Sequence, residues 1–142
     1  MPYTQLRLGR FSQENQIYHI TTVSHQRQPF FHHLQSARIV IQQLQRLQAD
    51  HWVDTLAYVL MPDHLHWLLQ LHTTPLSEIM RCLKGRSAHE LGHPVWQANF
   101  YDHAVRDDED LLHIARYIVA NPLRAGLVKH IGDYPHWDAI WL

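Results

Sequence analysis

The chain has 142 residues, 46% of them hydrophobic, with one cysteine and a formal net charge of −1. That length suits one domain, for which ~100–200 residues is usual, and the apolar content excludes wholesale disorder. No apolar run approaches the ~18 residues that span a bilayer, residues 1–7 lack a secretory apolar stretch, and a lone Cys82 makes no internal disulfide, so a single domain over 1–142 in the cytoplasm is expected.

Residues 17–24 (Ile17-Tyr18-His19-Ile20-Thr21-Thr22-Val23-Ser24) are rich in β-branched and aromatic side chains and read as a strand that Pro29 breaks. Ala37, Val40, Ile41, Leu44 and Leu47 then recur at helical spacing and predict a helix over 34–49. Trp52 to Leu60 and His64 to His72 read as two further strands. The turn residues Met61-Pro62-Asp63 join them as an antiparallel hairpin. Thr74 followed by Pro75 predicts an N-cap and first helical residue, with Leu76, Ile79, Met80 and Leu83 as the buried stripe and an end near Leu91-Gly92.

Pro94 to Val105 alternates as a fourth strand, with Trp96, Ala98 and Phe100 on one face. Asp107 is placed as the N-cap of a third helix, with Asp108, Glu109 and Asp110 at its positive end. Leu111, Ile114, Ala115 and Ile118 form its buried stripe, and Pro122 ends it at Asn121. The order β-α-β-β-α-β-α predicts an α+β fold in which helices sandwich an antiparallel sheet.

Fourteen histidines are many for this size, and histidine is the commonest metal ligand. Charge alone neither demands nor excludes a polyanion: Arg7, Arg10, Arg27, Arg38 and Arg46 make the first fifty residues basic, while 107–110 are all acidic. On a strand, His64 and His66 project from one face while Leu65, Trp67, Leu69 and Leu71 make an apolar face on the other. Two imidazoles with Cα atoms ~7 Å apart can converge on one metal ion. On spacing alone a solvated polar face fits as well. Tyr117 and Asn121 stand one helical turn apart at the flank of the third helix's buried stripe. Their ordinary reading is a ring packed on the sheet edge and a C-cap before Pro122.

The combination is more specific than its parts. Met61-Pro62-Asp63-His64-Leu65-His66 precedes Val95-Trp96-Gln97-Ala98-Asn99-Phe100-Tyr101-Asp102-His103, and then Arg116-Tyr117-Ile118-Val119-Ala120-Asn121-Pro122-Leu123-Arg124-Ala125-Gly126-Leu127-Val128. Over about residues 16–137 this resembles the single-tyrosine HUH transposases, most closely the REP-associated tyrosine transposases. The resemblance implies an HUH-endonuclease arrangement, ferredoxin-like or RRM-like, with Tyr117 as nucleophile. It implies His64, His66 and Asn121 as ligands of a divalent metal, Mg²⁺ or Mn²⁺. The implied substrate is single-stranded DNA beside a REP-type hairpin, cut through a 5′-phosphotyrosine intermediate and rejoined by strand transfer. It also implies a nucleoid-associated protein and favours a monomer over a homodimer.

Further expected DNA contacts are Arg7, Arg10, Arg81, Lys84, Arg86, Tyr101 and His103, the last two sharing a strand face. For Arg81, Lys84 and Arg86 an ordinary solvated helix face fits equally, and for Tyr101 packing is the plainer reading. Trp52, Trp67 and Trp96 suit buried strand faces, leaving Trp137 and Trp141 as the freer pair. Two other functions stay open: a hairpin-binding protein of this fold that does not cut, and a histidine-rich metal-binding module or hydrolase unrelated to DNA.

Overall fold

A computed structural model describes residues 14–141; Arg7 and Arg10 lie outside the described residues. The elements are β1 (Ile17–Val23), α1 (Leu34–Ala49), β2 (Val53–Met61), β3 (His64–Leu71), α2 (Leu76–Leu91), β4 (Tyr101–Ala104), α3 (Leu111–Val119), the short α4 (Asn121–Arg124) and β5 (Trp137–Ala139). The strands form one sheet in the order β4-β1-β3-β2-β5, and every pairing is antiparallel. This is the expected α+β arrangement, with helices on both faces of the sheet.

Alternation on the central strand decides which face meets which helix. Leu65, Trp67, Leu69 and Leu71 are buried with Ala37, Val40, Leu44 and Leu47 of α1 and Leu76, Ile79, Met80 and Leu83 of α2. The indole of Trp67 donates to Thr55 Oγ1 at 3.0 Å, so the polar edge of this large core ring is satisfied. On the other face Leu68 joins Ala57, Val59 and Met61 of β2, Ala115 and Ile118 of α3, and Tyr134. A bulge between Thr55 and Ala57 moves β2 out of simple alternation. Val53 therefore faces α1 and α2, whereas Ala57 faces α3.

Helix α3 packs on β2, β3 and β5 and makes no comparable packing on β1 or β4. It covers one half of its sheet face. The other half carries His19 and Thr21 of β1 and Tyr101 and His103 of β4, and the half-buried His64 and His66 lie at the boundary.

Four boundaries differ from expectation. β4 is confined to Tyr101–Ala104: Trp96 still bridges Ser24, with Gln97 N–H on Val23 O at 2.9 Å, but the pairing is interrupted between there and Tyr101. The Trp96 indole turns inward to Ser87 Oγ, and Lys84 Nζ donates to both Gln97 O and Asn99 O, which a longer strand would offer to a ladder. At α2, Pro75 itself is the cap residue and Thr74 makes no cap; the end at Gly92, with φ of 79°, is as read. Asp110, not Asp107, caps α3, accepting from Leu112 N and His113 N at 3.0 and 3.2 Å. Asp110 wins among four consecutive acidic residues because it directly precedes the apolar stripe. Pro122 does not merely end a helix at Asn121: α3 stops at Val119, and Pro122 sits in the first turn of α4, where its missing N–H costs nothing.

A fifth strand was not expected. Trp137 belongs to β5, packs on the α3 side of the sheet and donates its indole N–H to Ile131 O, so it is not free; Trp141 is exposed. Among the described residues no helix is long and apolar enough to cross a membrane.

Candidate active site

His64 and His66 point from the same face of β3, with ring centroids 5.0 Å apart and planes nearly perpendicular. Each ring has its Nδ1 engaged. His64 Nδ1 lies 2.7 Å from Asp63 Oδ1. His66 Nδ1 lies 3.0 Å from Thr21 Oγ1 and 3.1 Å from His19 Nε2, because the β1–β3 register sets Thr21 directly opposite His66. With the proton on Nδ1 in both rings, Nδ1–H donates to these partners and both Nε2 lone pairs remain for a Lewis acid.

Burial holds His66 and His19 neutral. The His66 pKa is pushed down to about 3, first by desolvation and then by the nearby His64, His19 and Arg124. His19 is pushed down to about 4 by burial and by His103. A neutral imidazole is the form that ligates a metal.

Tyr117 is on the exposed flank of α3 with 55% of its surface accessible. The guanidinium carbon of Arg124 sits 3.9 Å from the Tyr117 ring centroid, and Arg124 Nη2 donates to Tyr117 O at 2.6 Å. Arg124 also bears electrostatically on His66, as the smallest of the influences that lower its pKa. Asn121 opens α4 and donates its Nδ2 to Ile118 O at 3.1 Å. That bond fixes the carboxamide by its nitrogen end and leaves Oδ1 as the end available to a cation.

Among the described residues no group of three or more His, Cys, Asp or Glu side chains is arranged around a metal position. The imidazoles of His64 and His66 stand side by side on β3 with braced Nδ1 partners, and the amide oxygen of Asn121 is carried on α4. These donors suit a divalent ion of the Mn²⁺ or Mg²⁺ type with water completing its shell.

The remaining expected contacts divide in two. Tyr101 and His103 lie on the open half of the same sheet face. Tyr101 is 51% exposed, so it is not the packed strand residue its pattern allowed. His103 Nε2 is 3.0 Å from both carboxylate oxygens of Glu109. Arg81, Lys84 and Arg86 instead belong to α2, which packs on the opposite sheet face. There Arg81 pairs with Glu78, Lys84 holds the 97–99 segment, and Arg86 lies over the Trp52 ring at 5.7 Å.

Sequence reasoning missed His19, Thr21 and Arg124. His19 and Thr21 alternate on β1 and carried a signal as a polar face. Their partner on β3 depends on the register between strands far apart in sequence. Arg124 stood in the quoted 116–128 segment, seven positions after Tyr117, but the expected end of the helix at Asn121 hid their contact.

A sequence model of the family described as "Transposase IS200 like" matches residues 12–121, and the chain belongs to that family. It is similar to the REP-associated tyrosine transposase of Escherichia coli (strain K12), at 32% identity over 63% of this chain and 56% of the relative. A putative REP-associated tyrosine transposase of Haemophilus influenzae is 30% identical over 58% of this chain and 57% of its own length. The chain thus spans little more than half the length of these curated relatives.

Among solved structures, that of a REP-associated tyrosine transposase bound to a REP hairpin superposes with a TM-score of 0.79 at 25% identity, over 90% of this chain and 79% of the other. A putative transposase from Deinococcus radiodurans shares the fold, with a TM-score of 0.57 at 18% identity over 90% of this chain and 97% of the other.

Proposed function

We propose that this chain, as one domain, is a metal-dependent endonuclease and strand transferase acting on single-stranded DNA beside a REP-type hairpin. The observation that carries the reading is the pairing of His64 and His66, each braced at Nδ1, with an exposed Tyr117 flanked by Asn121 and Arg124. The likeness to a hairpin-bound structure supports the substrate class. Cytoplasmic, nucleoid-associated action as a monomer belongs to the same reading.

In this reading Tyr117 Oη attacks a backbone phosphorus. The Oη–P bond forms, the P–O3′ bond breaks, and the phenolic proton is balanced by the proton that the departing 3′-oxygen takes up. The products are a 5′-phosphotyrosine and a free 3′-hydroxyl. Attack by a 3′-hydroxyl reverses the step and rejoins strands with no external energy source. The chain's side chains contribute position: α3 holds the phenol at the rim of the cleft, and the open sheet half with Tyr101 and His103 provides a stacking and polar surface for the strand. His64 Nε2, His66 Nε2 and Asn121 Oδ1 would hold the divalent ion, Mg²⁺ or Mn²⁺. When bound it withdraws charge from the phosphate oxygens and favours the phenolate.

The test is intact mass under denaturing conditions after incubation with Mn²⁺ and a single-stranded hairpin from repeats flanking the gene. A protein–oligonucleotide adduct that vanishes in Tyr117→Phe is expected. Hairpin binding by gel shift without an adduct in Mn²⁺ or Mg²⁺ would refute the cleavage reading in favour of a recognition protein.

A further inference from the structure

We propose that Arg124 acts with Tyr117 as a positioning clamp, its guanidinium holding the phenol ring from one side and taking a non-bridging oxygen of the scissile phosphate on its free edge. The inference rests on the strand-cleavage reading and adds a second cationic element supplied by the protein itself.

The geometry begins with the helix break. Seven residues separate Arg124 from Tyr117, and on one continuous helix their Cα atoms would stand ~10.5 Å apart along the axis. The chain instead leaves α3 at Ala120, whose φ and ψ are −79° and −3°, and turns into α4. Arg124 N–H makes the ordinary helical bond to Ala120 O at 3.1 Å, and after α4 the chain is closed by Leu127 N–H on Pro122 O at 2.9 Å. The guanidinium folds back over the tyrosine ring, with its carbon 3.9 Å from the centroid.

Of the five N–H donors on the fork, one from Nη2 goes to Tyr117 O. No carboxylate among the described residues forms an ion pair with Arg124, although most other arginines of the chain that are described have such partners. An exposed arginine with its guanidinium stacked on the Tyr117 ring and an unpaired edge is suited to bidentate recognition of phosphate. The stacked ring holds the fork in plane and limits the entropy lost on binding.

The test compares wild type, Arg124→Gln, Arg124→Lys and Tyr117→Phe in single-turnover adduct formation with the hairpin oligonucleotide and Mn²⁺, alongside hairpin affinity by gel shift. Both phosphorothioate diastereomers at the wild-type cleavage position are included. Arg124→Gln should slow adduct formation ~100-fold, the effect of losing one preorganised donor to a transition-state oxygen, with hairpin affinity within about threefold of wild type. Arg124→Lys should recover about tenfold of that loss, restoring charge without the fork. One diastereomer should slow wild type and leave Arg124→Gln indifferent.

An Arg124→Gln rate within about threefold of wild type would overturn the proposal. So would equal sensitivity of both proteins to both diastereomers, a result that the Lys variant reads independently if the Gln variant is unfolded. Failure of wild type itself to form an adduct while binding the hairpin refutes the cleavage reading and the clamp with it, and is distinguished by the wild-type lane alone.

Discussion

Replacing Asp63 by Asn isolates the bond that braces His64. The carboxylate oxygen lies 2.7 Å from His64 Nδ1, a short distance characteristic of a charge-assisted bond, and among the described residues the one ion pair of Asp63 with an arginine or lysine is to Arg27 at 3.8 Å. Asparagine keeps the shape and an acceptor oxygen but loses the negative charge that raises the basicity of Nε2. Such a bond contributes ~1.5–3 kcal/mol, and a neutral acceptor retains roughly half of it. The remainder, about 0.8–1.5 kcal/mol, corresponds to a roughly 4- to 13-fold weaker grip on a divalent ion, at the low end of the ~10–100-fold range typical of losing such a supporting partner.

Calorimetric titration of the DNA-free protein with Mn²⁺ measures the change directly. Urea unfolding without metal should be nearly unaltered, because Asp63 is part-exposed and sits in a two-residue turn. Equal Mn²⁺ affinity in the two proteins would refute the assignment of Asp63 as the brace. Loss of folding stability together with affinity would show that the carboxylate holds the turn and not the ligand.

Two further outcomes concern stability. Tyr134 donates its hydroxyl to Leu60 O at 2.6 Å from a buried position, and His136 O accepts from Leu60 N at 2.8 Å, so both main-chain groups of Leu60 depend on this segment. Tyr134→Phe leaves a buried carbonyl unpaired and should cost ~1–3 kcal/mol in urea unfolding; a loss under about 0.5 kcal/mol would contradict that reading. Acid should also destabilise the fold. His19 and His66 have pKa values lowered to about 4 and about 3, and burial lowers His136 as well, so the unfolded chain takes up protons first as pH falls below 6.5. The folding free energy should be level above pH 7 and drop by about 2–4 kcal/mol between pH 7 and 5, each pH unit costing at most ~1.4 kcal/mol per resisting histidine. Unfolding curves that coincide at pH 7 and pH 5 would rule this out.

What was legible in the chain follows the range of the interactions involved. Helix α1 has the residues its apolar period predicts, Leu34 to Ala49, because a stripe of Ala37, Val40, Leu44 and Leu47 specifies phase and length locally. The division of β3 into an apolar face and a histidine face was equally local, a matter of period two. β5 was invisible for the opposite reason. Three residues, Trp137–Ala139, carry no periodicity of their own and become a strand only because β2 offers an edge there.

The candidate site divides along the same line. His64, His66, Tyr117 and Asn121 could be picked out by type and order, but the groups that hold them could not. Thr21 reaches His66 because an antiparallel register places the two opposite each other, and no feature of either segment alone specifies that register. Pro122 is the sharpest case. Read locally it forbids helical geometry at the preceding residue and stops a helix. In the fold the chain breaks one residue earlier, at Ala120, so that Pro122 becomes a tolerated first-turn residue of a new short helix. A proline that reads as punctuation thus begins the short helix that carries Arg124, whose guanidinium lies over the ring of the tyrosine seven positions before it.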